Sequence, residues 1–157
     1  MTHDHRSLPR QRFVTLRPEA DAWPAGWRQL SDAPGTVWAT GDVTALAAAA
    51  VAIVGTRGAT PRGLAVARRL ARDLAARGWV VASGLGLGID GEAHRGALEV
   101  GGRTVAVMAT EPQRTYPPAH RGLRREIEAA GCTVTETPPG GGPGGKWLFP
   151  RRNRLIA

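Results

Sequence analysis

Three arginines and an asparagine stand together near the C-terminal end of this 157-residue chain. Arg151, Arg152, Asn153 and Arg154 follow a stretch of glycines and prolines and precede the apolar residues 155–157. No acidic residue occurs within that stretch or after it. A guanidinium group offers a planar fork of donors that fits phosphate oxygens, and it also stacks on nucleobases. We therefore predict an anion-recognition loop here, and the alternative is a solvated basic face.

Two short glycine-containing loops are predicted to supply backbone donors to the same site. Gly55, Thr56 and Arg57 follow one apolar run, and the loop from Ser83 to Gly88 follows another. Ligands of open parallel sheets bind beyond the carboxyl ends of the strands, and glycines let backbone N–H groups come close to them. A helix beginning near Pro61 would point the positive end of its dipole at the same place. The sequence thus predicts a phosphate-binding crevice closed by the terminal arginines.

The glycine spacing does not fit the common nucleotide fingerprints. A dinucleotide-binding G-x-G-x-x-G should follow the first strand, whereas Gly84, Gly86 and Gly88 follow the second strand and are spaced differently. The sequence also lacks the P-loop pattern G-x-x-x-x-G-K-[ST]. We therefore expect no NAD, no ATP hydrolysis of the P-loop type and no bound cofactor.

Candidate catalytic side chains are few. His94 falls inside a predicted helix, where packing or capping is the usual role, and His120 lies in a turn with no evident partner. Glu136, at the end of the last predicted strand, is the only acid that the sequence places at the crevice. The sequence offers no nucleophile–base pair and no metal-ligand set, so we expect binding rather than catalysis.

The composition favours a polyanionic partner in the cytoplasm. The formal net charge is +8 and the sequence pI is about 11.4, as in many nucleic-acid-binding proteins. Lys146 is the only lysine, an arginine skew that GC-rich coding would also produce. The single cysteine, Cys132, excludes an internal disulfide and is predicted to be a buried strand residue. The longest apolar run, residues 45–54, is too short to cross a bilayer, and the N-terminus has no apolar signal core.

Strands and helices alternate regularly after residue 50. The predicted strands are 51–54, 79–82, 104–109 and 132–135, and the predicted helices are 61–77, 90–100 and 121–130. The first strand has the profile of one buried on both faces, and Asp90 is predicted to cap the second helix. This alternation predicts an α/β fold, a Rossmann-like parallel sheet with flanking helices.

The chain divides into three predicted parts. Residues 1–20 are polar and arginine-rich and are expected to form a flexible basic tail. Residues 21–50 hold three of the five tryptophans, and such a density of aromatic rings usually packs a small segment onto a larger body. Residues 51–157 form the main domain, with a predicted glycine hinge at 139–145.

Six ordered motifs carry a resemblance to a known family. They are Val51 to Arg57, Ser83 to Asp90, Ala93 to Leu98, Tyr116-Pro117, Glu136 to Gly140, and Phe149 to Ala157. In this order they resemble the DprA/Smf family of bacterial DNA-processing proteins of natural transformation. A lead-in with Trp23-Pro24 and Gly41-Asp42 is also similar, so the resemblance covers roughly residues 21–157.

This resemblance implies a function in DNA uptake. It implies an extended Rossmann-like domain that binds and protects single-stranded DNA, helps to load a RecA-type recombinase, commonly forms homodimers and has no established catalytic activity. The candidate DNA- or phosphate-binding residues, taken by position and from the loop analysis, are Gly55, Thr56, Arg57, Ser83, Gly84, Gly88, Arg151, Arg152, Asn153 and Arg154.

The chain also departs from the family pattern. Gly86 and Leu87 stand where the family usually has alanine and arginine, which removes a cation, and His120 replaces an asparagine. The family domain continues with further strands and helices beyond the position of Ala157. We therefore expect a sheet that is incomplete at the C-terminus relative to the family, with an open edge that favours association. A shortened paralogue, a truncated gene and a fragment all fit the sequence.

A nucleotide-binding or nucleotide-hydrolysing protein is the alternative. The related cytokinin-activating phosphoribohydrolases carry a Pro-Gly-Gly-x-Gly-Thr-x-x-Glu motif. Residues 139–145 imitate its beginning, but neither the threonine nor the acid follows. A nucleotide-sensing module would use the same crevice.

Overall fold

One mixed sheet of six strands organises the structure, a computed structural model that describes residues 13–141 and 145–157. The strands are β1 (Val14–Leu16), β2 (Val37–Gly41), β3 (Ala50–Ala52), β4 (Val80–Ser83), β5 (Thr104–Met108) and β6 (Cys132–Thr135). Their order across the sheet is β1-β2-β6-β5-β4-β3. The last four strands in sequence are parallel, which confirms the predicted core, whereas β1 and β2 add an antiparallel pair that the sequence analysis did not predict.

The helices begin and end close to the predicted positions. They are α1 (Pro61–Ala75), α2 (Ile89–Glu99), α3 (Arg121–Ala130) and α4 (Leu148–Asn153), with shorter 3-10 helices at Ala25–Gln29, Val43–Leu46 and Pro118–His120. Thr60 caps α1 as predicted, since its hydroxyl accepts from the backbone N–H of Gly63 at 3.2 Å. The cap predicted for Asp90 is wrong, because α2 begins directly after Gly88 and Asp90 lies within its first turn. Among the described residues, each helix is too short or too polar to span a bilayer.

The sheet separates two apolar cores. In β5, Val105 and Val107 point to one side and Ala106 and Met108 to the other, and all four are buried. Helices α1, α2 and α3 cover the second side, where they contribute the buried side chains of Ala71, Ala93, Ala97, Leu123 and Ile127. The tryptophan-rich segment and the end of the chain cover the first side. Both faces of the central strands are therefore removed from water.

The tryptophan-rich segment is joined to the main sheet. Trp23 and Trp27 pack edge to face, with ring centroids 5.4 Å apart, and the indole N–H of Trp27 donates to the carbonyl of Leu155 at 3.0 Å. Strand β2 pairs with β6, so residues 21–50 share both sheet and core with residues 51–157. Strand β1 falls inside the predicted tail, and residues 1–12 of that tail lie outside the described residues.

Strand β3 lies at the edge of the sheet. The prediction that this strand is buried on both faces is wrong, since Ala52 and the following Val54 are exposed. Its run of small and apolar residues resembles a central strand, but within the described part of the chain it pairs only with β4. A groove of about 610 Å³ lies beside it, with Trp27, Ala49 and Ile156 among its lining residues.

Candidate functional site

A crevice of about 520 Å³ opens at the carboxyl ends of β3, β4 and β5. Its walls come from residues 54–57 after β3, from residues 84–87 after β4, from residues 116–117 after β5, and from α4. This is where a parallel sheet offers its loops to a ligand, and the volume lies in the range of small-molecule sites. The two glycine-containing loops therefore meet as the sequence predicted.

An acid forms part of the crevice floor. Asp90 is buried, and its two carboxylate oxygens accept from the backbone N–H groups of Gly55 at 3.4 Å and Gly86 at 3.2 Å. Its position in the first turn of α2 places the negative charge at the favourable end of the helix dipole. Asp90 thus ties the first loop to the second and occupies two of the donors that the sequence analysis assigned to a ligand.

Two aromatic rings and one arginine form the mouth of the crevice. The rings of Tyr116 and Phe149 meet edge to face with centroids 5.5 Å apart. The guanidinium carbon of Arg57 lies 5.4 Å from the centroid of Phe149, within cation–π distance. The Tyr116 ring is 44% exposed and Arg57 is also exposed, so a flat apolar surface and a positive charge stand side by side. Neither aromatic was a predicted site residue, because Tyr116 and Phe149 stand out in the sequence only as parts of motifs.

The second glycine loop has an unusual backbone. Leu85 has φ +60°, in the left-handed region that side chains with a Cβ seldom adopt, although its side chain is fully buried. The Nδ1–H of His120 donates to the carbonyl of Leu85 at 3.0 Å, which helps to hold this conformation. His120 is buried and does have a partner, contrary to the sequence analysis.

Two predicted site residues of this loop, Ser83 and Gly88, have a structural role and help to fix the conformation of the loop. The hydroxyl of Ser83 is fully buried and donates to the carbonyl of Ile53 at 2.6 Å, so it faces the neighbouring strand. Gly88 has φ +76°, and a Cβ there would lie 2.3 Å from the carbonyl oxygen of Thr56. Glycine is therefore required at position 88 for the two loops to come together.

Arg152 points into the protein. Its guanidinium donates to the carbonyl oxygens of Gly84 and Val107, and its Nε donates to the side-chain oxygen of Asn153 at 3.1 Å. Burial lowers the pKa of this arginine. A Cβ at Gly84 would lie 2.6 Å from the guanidinium, so the second loop packs directly on it. Arg152 lines the base of the crevice and supports its wall.

Arg154 and Arg151 share an acid. Arg154 donates to Asp32 at 2.6 Å and to Glu136 at 2.7 Å, and only 15% of its side chain is exposed. Arg151 pairs with the other oxygen of Glu136 at 3.3 Å and is 52% exposed. Although the sequence offers no acid nearby, the fold brings two acids to these cations. Glu136, which was predicted to lie at the crevice, therefore forms ion pairs with these arginines. The acid among the described lining residues of the crevice is Asp90.

The segment that carries these arginines is helical. A loop was predicted for residues 149–154, but α4 runs from Leu148 to Asn153. Because successive helical residues point in different directions, Arg151, Arg152 and Arg154 cannot all face one ligand. The predicted hinge before them falls partly on residues 142–144, which lie outside the described residues.

A buried arginine anchors the loop that carries Tyr116. Arg124 of α3 is 2% exposed and donates to the carbonyl of Pro112 at 2.6 Å, to the hydroxyl of Thr115 at 3.3 Å and to Glu128 at 2.7 Å. These contacts join α3 to the loop after β5. Helix α3 contributes no residue to the described lining of the crevice, but it holds the loop that forms one of the crevice walls.

The structure brings together only part of the predicted site. Gly55, Arg57, Gly84, Arg152 and Asn153 line the crevice. Thr56 is exposed beside it, and its hydroxyl accepts from the backbone N–H of Gly58 at 3.2 Å. The described lining residues include none from α1, the helix whose dipole was predicted to act on the ligand from Pro61. The helix whose first turn does line the crevice is α2, through Asp90.

The side chains of Cys132 and His94 are buried inside the protein. Burial raises the pKa of the Cys132 thiol to about 12, which confirms a buried strand residue and keeps the thiol protonated. His94 is fully buried and its Nδ1 lies 2.7 Å from the hydroxyl of Thr104, in agreement with a packing role. No group of three His, Cys, Asp or Glu side chains in residues 13–141 and 145–157 is arranged to hold a metal ion.

The sequence of this chain is similar to those of known DNA-processing proteins. The sequence model of the family "DNA recombination-mediator protein A" matches residues 14–157. DNA processing protein DprA of Bacillus subtilis is 35% identical over 148 residues, which cover 94% of this chain and 50% of that protein.

Two solved structures share the fold. DNA processing protein A of Streptococcus pneumoniae has a TM-score of 0.84 at 33% identity, covering 93% of this chain and 51% of that chain. The Helicobacter pylori protein, described for its unique single-stranded DNA binding mode, has a TM-score of 0.83 at 31% identity, covering 94% of this chain and 65% of that chain. These likenesses confirm the α/β, Rossmann-like fold. The chain spans about half the length of the curated relatives that it matches.

Proposed function

Because the chain belongs to the DNA recombination-mediator protein A family, as the resemblance to DprA/Smf indicated, we propose that its crevice binds single-stranded DNA. The observation that carries the proposal is the exposed Arg57 beside the rings of Phe149 and Tyr116. Where an arginine lies next to an aromatic ring, the guanidinium can bind a phosphate while the base of the same nucleotide stacks on the ring. The Helicobacter pylori relative, with the same fold, is described as binding single-stranded DNA.

The same arrangement favours single strands over duplex. Aromatic rings reach a base face only when that base is unstacked, and every base has such a face, so little sequence preference is expected. The crevice walls also include the apolar side chains of Val54 and Leu87. Apolar walls with one exposed cation at the mouth suit a splayed base better than the outside of a double helix.

We divide the predicted site residues into two roles. Thr56, Arg57, Asn153 and the half-exposed Arg151 are assigned to contact DNA, whereas the backbone N–H of Gly55 is already bound by Asp90. Support of the crevice wall is assigned to Ser83, Gly84, Gly88, Arg152 and Arg154, whose side chains or close backbone packing hold the loops in place. The division follows from exposure and existing partners.

The role that we infer is binding rather than catalysis. Asp90 is the acid of the crevice, and backbone N–H groups already occupy both of its oxygens. These hydrogen bonds give Asp90 a structural role, which is to hold the two loops together.

Family membership is the basis on which we extend the proposal to a wider setting. We propose that the chain acts in the cytoplasm in natural transformation, where it protects incoming DNA, helps to load a RecA-type recombinase and works as a homodimer. The single buried cysteine is compatible with a reducing compartment.

Fluorescence anisotropy with labelled oligothymidylate and a matched duplex tests the binding proposal. Single strands should bind more tightly, and affinity should fall steeply with salt because binding releases counterions. Removing one phosphate contact, in Arg57→Ala, should reduce the slope of log affinity against log salt by about 0.7. Arg77→Ala is the control, because Arg77 is exposed just after α1, near the amino end of β4.

Two results would contradict the proposal. Equal affinity for duplex and single strands at moderate salt would remove the preference for unstacked bases. Equal effects of Arg57→Ala and Arg77→Ala would show that net charge, rather than the crevice, attracts the DNA.

A further inference from the structure

Trp147 is exposed outside the crevice. Its side chain is 61% exposed, the highest fraction among the large apolar side chains of the described residues. The guanidinium carbon of Arg151 lies 5.9 Å from the centroid of its ring. A ring of this size is usually covered or used, because its apolar faces are costly to hydrate.

Helix α4 and its N-cap residue supply one aromatic ring to each of two pairs of this kind. Phe149 is paired with Arg57 at the mouth of the crevice, and Trp147 is paired with Arg151. Trp147 has helical backbone angles, so residues 147 and 149 are separated by about 200° around the helix axis. Helix α4 therefore presents one aromatic–arginine pair toward the crevice and the other on its far side.

The second pair is held in place before any ligand arrives. Glu136 pairs with Nε of Arg151 at 3.3 Å and with Arg154 at 2.7 Å, so its carboxylate helps to hold the Arg151 guanidinium in place. Gly145 packs on the indole, where a Cβ would lie 2.5 Å from Cδ1. A preset ring and guanidinium lose little conformational entropy when a base stacks on them.

We propose that Trp147 and Arg151 form a second stacking site for a nucleobase and its phosphate, which receives the nucleotide that leaves the crevice over α4. The inference rests on the proposed function and extends the path of the single strand beyond Phe149. Stacking of one base on an aromatic ring changes affinity by roughly tenfold or more.

Oligonucleotide length separates the second site from the crevice. Affinities are measured for short and long oligothymidylate, of about 4 and about 12 nucleotides, the range of common single-strand site sizes. Trp147→Ala should bind the long strand roughly tenfold more weakly and leave the short strand unchanged within about twofold. Trp147→Phe should restore most of the loss, because phenylalanine keeps a stacking face.

Trp79→Ala is the matched control, since Trp79 is 43% exposed at the amino end of β4, opposite the crevice. It should bind both strands as the unmodified protein does. Thermal unfolding of each variant checks that the fold is intact. The quenching of tryptophan fluorescence by the long strand should also diminish in Trp147→Phe.

The outcomes distinguish this inference from the proposed function. If the unmodified protein binds both strands and Trp147→Ala loses nothing, or loses equally on both lengths, the second site is refuted and the crevice stands. If the unmodified protein binds neither strand, the proposed function itself fails, and the second site fails with it.

Discussion

Substitution of Arg152 by methionine should lower the free energy of unfolding of this domain more than the same substitution at Arg151 does. Arg152 donates to the carbonyls of Gly84 and Val107 inside the protein, whereas Arg151 is half exposed with one ion pair to Glu136. Methionine fills the volume of the arginine stem, so little cavity is left and the lost hydrogen bonds dominate the difference.

The magnitude follows from these partners. Each buried carbonyl that loses its donor costs about 1–3 kcal/mol, and relief from burying the charge returns part of that cost. We expect Arg152→Met to lower the free energy of unfolding by about 2–4 kcal/mol. Arg151→Met should lower it by about 0–1 kcal/mol, as for other exposed ion pairs.

Urea unfolding followed by circular dichroism measures both values, provided that the slope with denaturant is unchanged. Equal stability of the two variants would refute the assignment of Arg152 as a buried support. The comparison also bears on DNA binding. Simultaneous removal of Arg151, Arg152 and Arg154 confuses loss of contacts with loss of fold, so single substitutions are required.

Three other substitutions test the supporting structure. Burial lowers the pKa of His94 to about 3. Between about pH 6.5 and pH 3 the unfolded chain therefore binds a proton at this histidine that the folded protein does not bind. The free energy of unfolding should fall by about 1.4 kcal/mol per pH unit as the pH is lowered through that window. His94→Asn should lack this contribution in urea unfolding, and an unchanged pH dependence would contradict it. Arg124→Met should cost about 3–5 kcal/mol in the same assay, against less than about 0.5 kcal/mol for the exposed Arg125→Met, and similar losses would argue against the buried anchor. Gly88→Ala should destabilise by more than about 1 kcal/mol, because its φ is +76° and the first loop leaves no space; unchanged stability would refute that.

Local signals explain what the sequence predicted well. Apolar runs and the glycines that end helices located the four parallel strands and α1 to α3, because both depend on neighbours within a few residues. The cap at Thr60 and the proline at position 61 belong to the same class of signal. The meeting of the two glycine loops followed from the general geometry of parallel sheets.

Contacts between distant residues explain what the sequence analysis missed. The pairing of Arg154 with Asp32 joins positions 122 residues apart, and the contact of Arg152 with Gly84 joins positions 68 apart. Nothing in the order of residues 149–154 shows which arginine turns inward, because that depends on α4 and on the carbonyls beneath it. The role of Asp90 was missed for a similar reason, since its partner Gly55 lies 35 residues away.

The most direct test of DNA binding in the crevice is amide chemical-shift mapping by NMR on titration with oligothymidylate. The chain has 157 residues, a size at which backbone amides can be followed individually. We predict that the shifts concentrate at residues 55–57, 86–87 and 147–153, with those beyond the crevice appearing only for longer strands. Shifts confined to the arginine-rich exposed face of α1, around Arg69 and Arg72, would contradict the central claim that the crevice binds single-stranded DNA.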